Sequence, residues 1–460
     1  MQVQIDPLAE RPRVEQLTDG MREWISRHGA SGERLPSIRR FAATHGVSRN
    51  MVIEAYERLV AMGWIVSRPG SGFYVAEGAI DEAERDARSG MADVSDEMWN
   101  LFQEEGDSLR LGCGWLPTAW RDDDAFGHAL RQVTRRSSAE LFEYGTPLGS
   151  PVLRALLQER LRRLAIEVDA NQLLMTGGGS QALDIIVRWL LRPGDTVLVE
   201  SPGYYNLFGL LHLHRINVVG VRRTEEGPDP EHLETLLERH SPKLFFCHSV
   251  LHNPTGTLLS LGVAERVLAL AERHDLWIVE DDIYADFQVA PTPRLAALDG
   301  IRRVLYVGSF SKTLSCSLRV GFIAAPPALL KPLVDVKMLS NIATSPLAEQ
   351  VVATLLRNGS YRRLTDRLSQ RLSRRMTTAL ELADAGGWEL YATPRGGMFL
   401  WARHPDVASS RELVASAGRR GIRLSPGDVF LPEANESPWI RLNVAYVDDA
   451  RARAFLGDPR

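Results

Sequence analysis

The sequence predicts a multidomain protein, with a small N-terminal α+β domain and a much larger C-terminal α/β domain. The chain has 460 residues, which is more than one ordinary hydrophobic core accommodates. From residue 109 to the C-terminus, seven short apolar runs alternate with helix-period segments, as in a layered and mainly parallel sheet. Residues 77–108 hold eleven acidic residues and two arginines. That composition predicts a weakly ordered linker between domains 1–76 and 109–460.

The overall composition is that of a globular protein in a reducing compartment. The formal net charge of −4 argues against wholesale coating of nucleic acid. Cys113, Cys247 and Cys316 are widely scattered and match neither a zinc site nor a disulfide framework. The N-terminus has no signal-peptide pattern, and the chain has no apolar run of about twenty residues. We therefore expect a cytoplasmic protein without a metal centre or a membrane helix.

The N-terminal domain has the pattern of helix, glycine turn, helix and β-hairpin. Ser37 can cap a helix that ends near His45, and Gly46 follows it. Ser48 can cap the next helix. The runs "WIVS" and "GFYV" flank "RPGS", which predicts a hairpin, or wing. This order is typical of a winged helix-turn-helix, in which the start of the second helix enters the major groove of DNA.

Basic and amide side chains stand where such a helix would contact DNA. Arg49 and Asn50 begin the second helix, and arginine can pair with guanine and asparagine with adenine. Arg39, Arg40 and Arg68 are better placed for phosphates. The alternative is a small helical domain whose arginines are simply solvated. We favour DNA binding because the caps, the turn glycine, the wing and the basic residues occur together.

The segments "RLPSIRRFA", "GVSRNMVIEAYERLVAMGW" and "GSGFYV" resemble the winged helix of GntR-type bacterial transcription regulators, over about residues 12–76. The resemblance extends the set of expected DNA contacts. The residues that it implies are Arg39, Ser48, Arg49, Asn50 and Gly70.

One lysine of the C-terminal domain stands out, because the chain has only four lysines against fifty arginines. Lys312 lies in the serine-rich turn of "GSFSKTLSCSLRVGF". Arginine cannot form a Schiff base, whereas a desolvated lysine can. Pyridoxal phosphate is the common cofactor bound in that way, and we therefore expect it at Lys312.

The same domain contains the groups that the phosphate of this cofactor needs. The sequence "MTGGGSQALDII" places Gly179 and Ser180 after a strand and at the start of a helix, where backbone N–H groups bind phosphate. Ser309 and Ser311 add hydroxyl groups, and Arg319 adds a fixed positive charge.

Four further residues fit the pyridine ring. Asp281 ends the buried run "LWIVED" and can keep the ring nitrogen protonated; Tyr284 follows three residues later. Asn253 can bind the phenolic oxygen, and Tyr204 offers an aromatic face. Each residue also has a purely structural interpretation: Asp281 could cap a helix, Asn253 could form a turn, and Tyr204 could belong to the core. We favour the cofactor site over these structural interpretations, because otherwise the order of the segments would require a separate coincidence for each of them.

The order and spacing of these segments resemble fold-type I pyridoxal phosphate enzymes of the aspartate aminotransferase class, over about residues 110–460. The resemblance implies that Lys312 forms the Schiff base and that Asn253 and Tyr284 bind the phenolic oxygen. It adds Tyr144, which would reach the phosphate of a neighbouring subunit, and Arg441, which would bind a substrate α-carboxylate. A homodimer and a small C-terminal subdomain at about 345–460 are also implied.

A winged helix, an acidic linker and an aminotransferase-like domain in this order resemble MocR-type regulators, a branch of the GntR group. The resemblance implies a dimeric regulator that binds double-stranded operator DNA and senses pyridoxal phosphate, an amine or an amino acid. A working aminotransferase with a fused DNA-binding domain stays open, since nothing in the sequence forbids turnover. A dimerisation scaffold that has lost its cofactor is disfavoured by the intact Lys312 and Asp281.

Overall fold

The computed structural model describes residues 13–28, 33–61, 64–68, 71–76, 107–136, 142–433 and 435–460. The chain divides into two compact units, Met1–Asp86 and Ala87–Arg460. Residues 77–106 of the predicted linker, and Gly70 among the predicted DNA contacts, lie outside the described residues.

The described part of the N-terminal unit is a helical bundle with a β-hairpin. Its elements are α1 (Arg13–His28), α2 (Ile38–His45), α3 (Arg49–Ala61), β1 (Ile65–Arg68) and β2 (Gly72–Val75). The two strands pair antiparallel, with Ile65 opposite Val75. The predicted winged helix-turn-helix is therefore confirmed, and α1 is an addition that the sequence analysis did not identify.

Local capping explains where the two central helices begin and end. The side chain of Ser37 accepts a hydrogen bond from the Arg40 N–H at 3.3 Å, and that of Ser48 accepts one from the Met51 N–H at 3.2 Å. Gly46 adopts a left-handed conformation with φ of 64°, which favours glycine. These contacts fix the turn between α2 and α3 on which the placement of the second helix depends.

The core of this unit joins all three helices to the hairpin. Leu17, Met21 and Ile25 of α1 are fully buried, and they pack with Val52 and Tyr56 of α3. The Tyr56 hydroxyl donates a 2.7 Å hydrogen bond to the Pro36 carbonyl oxygen. A buried phenol with a satisfied hydroxyl ties the segment before α2 to α3.

The C-terminal unit is built around an eight-stranded mixed sheet with the strand order β3-β10-β9-β8-β7-β4-β5-β6. Its strands are β3 (Leu173–Thr176), β4 (Thr196–Ser201), β5 (Asn217–Thr224), β6 (Gly227–Pro228), β7 (Leu244–Cys247), β8 (Trp277–Asp281), β9 (Val304–Ser309) and β10 (Gly321–Ala324). The five central strands from β9 to β5 run parallel. Strand β10 pairs antiparallel with β9.

Helices cover both faces of this sheet. They are α4 (Asp123–Arg136), α5 (Pro151–Arg162), α6 (Gly179–Leu190), α7 (Tyr205–Leu213), α8 (Pro230–His240), α9 (Leu261–Arg273), α10 (Leu295–Asp299) and α11 (Pro327–Asn341). Successive strand residues alternate between two apolar layers: Leu198 and Phe245 pack in one, and Val199 and Phe246 in the other. Burial on both faces is why the strands are continuous apolar runs in the sequence.

A second, three-stranded antiparallel sheet lies in the C-terminal part, with the order β11-β12-β13. Its elements and the flanking helices are α12 (Pro346–Arg357), α13 (Ser360–Ala385), β11 (Glu389–Leu390), β12 (Phe399–Arg403), α14 (Ser410–Arg419), β13 (Ile440–Asn443) and α15 (Ala450–Gly457). Residues 109–113 join this part, because the Leu109 N–H donates to the Gly421 carbonyl and the Asn443 N–H to the Leu111 carbonyl. The Gly112 carbonyl oxygen of this segment accepts a hydrogen bond from the side chain of Arg441 in β13.

Candidate functional site

A cavity of about 790 Å³ lies in the C-terminal unit, where strands β8 and β9 end. Ligands of open α/β folds bind at such carboxyl ends of parallel strands. All but one of the site residues predicted for this domain line the cavity. These residues are Gly179, Ser180, Tyr204, Asn253, Asp281, Tyr284, Ser309, Ser311, Lys312, Arg319 and Arg441.

Lys312 presents a desolvated amine to this cavity. Burial lowers the pKa of Lys312 below its usual value, and the positive charge of Arg441 lowers it further. Gly114 lies directly against the amine, since a Cβ atom built on Gly114 would be 3.6 Å from Nζ and 3.8 Å from Arg441 Nη2. The neutral fraction of this amine is therefore larger than that of an exposed lysine, as a nucleophile requires.

The carboxylate of Asp281 contacts a histidine that the sequence analysis did not identify. His248 Nε2 lies 3.4 Å from Asp281 Oδ2, and the Ile283 N–H donates to Oδ1 at 3.3 Å. Burial lowers the pKa of His248, but the negative charges of Asp281 and Glu200 more than offset this effect, so the pKa is raised overall. His248 stands five residues before Asn253 in "HSVLHN", and that proximity was the available signal.

A buried network continues beyond His248. Glu200 accepts a 2.8 Å hydrogen bond from the His248 backbone N–H and is ion-paired to Arg223. Glu200, His248 and His252 bring ligand atoms within 4.8 Å of one another, a spacing that a metal ion could use. Arg223 argues against that use, because its fully buried guanidinium already pairs with Glu200 and would repel a cation. We interpret the network as a support for Asp281.

Arg441 is the most constrained side chain of the site. It is 1% exposed, and its guanidinium lies 4.7 Å from the Phe399 ring centre and 4.8 Å from that of Phe430. Nη1 donates to Asn253 Oδ1 at 2.7 Å, and Nη2 donates to the Gly112 carbonyl at 2.8 Å. Because the group is held on both sides, it offers a fixed fork to an incoming carboxylate.

Two tyrosines line the region expected for the pyridine ring. Burial raises the pKa of Tyr284 well above its usual value, and burial also raises the pKa of Tyr204. Both phenols therefore stay protonated at neutral pH. The Asn206 amide donates to the Tyr204 hydroxyl at 3.0 Å, which orients that ring at the start of α7.

The predicted phosphate groups converge at the N-terminus of α6. Arg319 donates to the Gly177 carbonyl at 3.1 Å and to Ser311 Oγ at 3.3 Å. Ser309 Oγ lies 3.1 Å from Ser311 Oγ. Gly178 has a φ of 88°, and a Cβ atom there would be 2.7 Å from Arg319 Nη2. Only glycine allows the backbone and this guanidinium to approach so closely, which suits an anion-binding helix start.

Tyr144 is the predicted site residue that does not line this cavity. Its side chain is 81% exposed, and it lines a separate cavity of about 550 Å³ with Thr146, Ser150 and Glu349. Within one chain it is therefore not brought to Lys312. Its expected contact with the phosphate of a neighbouring subunit stays a prediction.

In the N-terminal unit, the predicted DNA contacts lie at the surface. Arg39, Ser48, Arg49 and Asn50 are all exposed. Within the described part of the chain, Arg39 and Arg49 form no ion pair, whereas Arg58 on the same helix as Arg49 pairs with Glu54 at 2.8 Å.

Arg68 of the wing is also exposed, and its guanidinium lies 4.6 Å from the ring centre of Tyr74. The described contacts thus leave charged groups at the start of α3 available to an anionic partner.

The groups around the large cavity fit pyridoxal phosphate. They include a desolvated amine, a supported carboxylate for the ring nitrogen, an amide and a phenol for the phenolic oxygen, and a helix start with hydroxyls and an arginine for the phosphate. Together with a fixed guanidinium, this set can hold the cofactor and an amino acid at once. The roles of the individual residues remain predictions.

Comparisons with known proteins agree with both units. Residues 13–75 match the gntR family of bacterial regulatory proteins, and residues 107–457 match aminotransferase class I and II. The chain is 30% identical over 436 residues to the probable rhizopine catabolism regulatory protein MocR of Rhizobium meliloti. The aligned region covers 92% of this chain and 88% of the relative.

Solved structures resemble the C-terminal part. One is the alpha-aminoadipate aminotransferase LysN of Thermus thermophilus, complexed with N-(5'-phosphopyridoxyl)-L-leucine (TM-score 0.74, 28% identity, 81% of this chain and 96% of that chain). Another is the kynurenine aminotransferase of Pyrococcus horikoshii in complex with PMP (TM-score 0.73, 25% identity, 79% and 92%).

The fold and the site thus define a helix-turn-helix regulator fused to an aminotransferase-like domain. The chain belongs to the MocR-type branch of the GntR regulators, whose second domain is of aminotransferase class I and II. The predicted family, fold class and type of cofactor are confirmed at this level. Within the described ranges, no helix combines the length and the apolar character that a membrane span requires.

Proposed function

We propose that this regulator is a homodimer that works in the cytoplasm, reads operator DNA with α3, and responds to pyridoxal phosphate or to an amine or amino acid that reacts with it. One observation carries the proposal. The desolvated amine of Lys312 and the buried guanidinium of Arg441 both lie against Gly114 in a single cavity. That cavity belongs to the same chain as a helix-turn-helix with exposed arginines.

The proposed roles follow from the positions of the groups. Pyridoxal phosphate supplies an aldehyde that exchanges between amines, and a protonated ring that withdraws electrons. Lys312 would hold the cofactor through Nζ, the position that the amine of a ligand would compete for. Asp281, oriented by His248, holds the proton at the ring nitrogen. Arg441 binds the ligand carboxylate, and the close backbone of Gly114 leaves room for it.

The turn that contains Lys312 is connected to a long helix of the C-terminal part. The Thr313 hydroxyl lies 2.7 Å from the Tyr361 hydroxyl at the start of α13, and Tyr361 also donates to Asp286. Because of these hydrogen bonds, a ligand that rearranges the turn would also act on the start of α13. A ligand shifts the protein between states only when it favours one of them.

A homodimer is supported by apolar side chains on the C-terminal unit. Phe142 is 89% exposed and Leu339 is 92% exposed. The segment after Phe142 contacts the segment after Leu339, since a Cβ atom on Gly145 would be 3.0 Å from the Thr344 carbonyl oxygen. Exposed large apolar side chains on adjoining segments are typical of protein–protein contacts, and a second copy would also bring its Tyr144 with this surface.

A second candidate function is catalytic turnover as an aminotransferase. It is favoured by the lowered pKa of Lys312, because a neutral amine beside the cofactor can accept a proton from a substrate carbon as a general base. Steady conversion of an amino acid and a keto acid, at roughly 10 per second, would indicate an enzyme. A single half-reaction without turnover would fit a sensor.

The test uses full-length protein saturated with pyridoxal phosphate. Borohydride reduction followed by mass spectrometry should fix the cofactor to Lys312, and Lys312→Ala should lose both this label and the response of DNA binding to amines. Lys331→Ala is the matched control, since Lys331 is exposed and paired with Asp335. A label on another residue, or an unchanged response in Lys312→Ala, would refute the proposal.

A further inference from the structure

The cavity contains more positive charge than the cofactor and one carboxylate require. Lys312, Arg319 and Arg441 already have proposed partners. Arg110 and Arg121 line the same cavity, one from the segment before Gly114 and one from the segment after it. Neither arginine is among the groups assigned to the cofactor or to the α-carboxylate.

Both arginines lack an acidic partner within the described part of the chain. The Arg110 guanidinium lies 5.9 Å from the ring centre of Trp115. Arg121 donates to the Leu314 carbonyl oxygen at 2.7 Å and approaches Cys316 Sγ at 3.9 Å. Both side chains are partly buried. A guanidinium without a carboxylate partner keeps its charge and its free N–H groups available to an anionic ligand.

The two groups act on a common neighbour. Burial raises the pKa of Tyr446, and the positive charges of Arg110 and Arg121 both oppose that rise. The two guanidinium groups are therefore close enough to the same phenol for their fields to overlap there. Because both arginines also line one cavity, we call them together the positive region.

Two acidic residues, Asp122 and Asp123, line the same cavity. Asp122 is ion-paired to Arg367 and accepts a 3.0 Å hydrogen bond from the Ala125 N–H. Asp123 is exposed in the first turn of α4. Neither carboxylate forms an ion pair with Arg110 or Arg121 among the described residues.

We propose that the effector is an amino acid with a second anionic group, such as a dicarboxylic amino acid, and that Arg110 and Arg121 bind this group. The proposal rests on the proposed function, since it names the ligand class of the same cavity. Arg441 takes the α-carboxylate beside Gly114, and the amine replaces Lys312 at the cofactor. The remaining anion of the ligand then reaches the positive region lined by Trp115 and Leu314. Arginine suits this role because its planar fork pairs with a carboxylate bidentately.

The test compares ligands that differ only in charge. Full-length protein loaded with pyridoxal phosphate is titrated with glutamate and glutamine, and with aspartate and asparagine, while the visible absorbance of the cofactor is followed. We expect the acidic member of at least one pair to bind at least tenfold more tightly, as a charge-assisted hydrogen bond provides. This preference should decrease as salt is raised.

Two variants assign the preference to the arginines. Arg110→Gln and Arg121→Gln should each lower the acidic-to-neutral affinity ratio at least tenfold, and either variant alone is informative if the other does not fold. Arg131→Gln is the control, because Arg131 is exposed on α4 and does not line the cavity; it should keep the wild-type ratio.

The failures of the two proposals are distinguishable. Equal affinity for acidic and neutral ligands, or an unchanged ratio in both variants, overturns the assignment of an acidic effector and leaves amine sensing intact. If no amino acid changes either the absorbance or the DNA affinity, both amine sensing and this inference are overturned.

Discussion

The strongest quantitative prediction concerns Arg441. Replacing it with glutamine should weaken amino acids far more than amines that lack a carboxylate. A guanidinium has five N–H donors, and Arg441 uses three of them: Nη1 to Asn253, and Nε and Nη2 to the Gly112 carbonyl. One donor therefore remains on each terminal nitrogen, and the pair matches the two oxygens of a carboxylate.

The expected size follows from those two donors. A hydrogen bond to a charged group contributes about 1.5–3 kcal/mol, so the loss of two costs about 3 kcal/mol or more. At about 1.4 kcal/mol for each factor of ten, the affinity for an α-carboxylate ligand falls by roughly 150-fold. Burial keeps the interaction from being screened, since the side chain is 1% exposed.

The assay is a spectral titration of the loaded protein with alanine and with ethylamine, which lacks the carboxylate. The ratio of the two dissociation constants isolates the carboxylate from general damage to the site. Arg453→Gln is the control, because Arg453 is an exposed arginine of α15 that pairs with Asp448. An unchanged ratio in Arg441→Gln would refute the carboxylate assignment and would point to an effector such as a B6 vitamer.

Two further predictions concern DNA binding and stability. Arg49→Ala should weaken specific DNA binding by about 5- to 150-fold in a mobility-shift assay and should leave the cofactor absorbance intact. Arg58→Ala, on the same helix, is the control and should have little effect. Equal DNA affinity in the two variants would contradict the assignment of α3 as the DNA-reading helix. Burial lowers the pKa of Lys337 to about 8, so the unfolded chain binds this proton more strongly and the free energy of unfolding should rise with pH between about 8 and 10.5. Lys337→Met should flatten this rise in thermal melts, unlike Lys331→Met; a rise that persists in Lys337→Met would sink the reasoning.

Much of the fold could be predicted because its signals are local. The caps at Ser37 and Ser48 and the turn at Gly46 act within four residues of themselves, and the sequence therefore indicates where α2 and α3 begin and end. Helix α1 has a weaker local signal, because no Ser, Thr, Asp or Asn directly precedes Arg13, although Gly29 follows its last residue, His28. Its core residues are recognised only when Leu17 and Met21 are seen to pack against α3.

The residues of the candidate site also differ in whether their role could be recognised from the sequence. Lys312 and Asp281 stood out because a lone lysine and a carboxylate at the end of a strand have recognisable chemistry. His248, Gly114 and Arg110 were missed because a buried histidine, a glycine and a surface-like arginine are unremarkable in a sequence. Their meaning depends on which groups they face, such as Asp281 at 3.4 Å from His248.

The sequence by itself determined the two domain types, the amine that can hold an aldehyde and the helix that can read DNA, since each depends on residue chemistry within a short segment. The tertiary structure decided which charges meet: Arg441 and Asn253 are 188 residues apart in the chain and share a 2.7 Å hydrogen bond. The physical reason is that the carboxyl ends of parallel strands lie at one edge of the sheet, whatever their distance in sequence. The energy of each pair of charged groups then depends on their burial and on the distance between them.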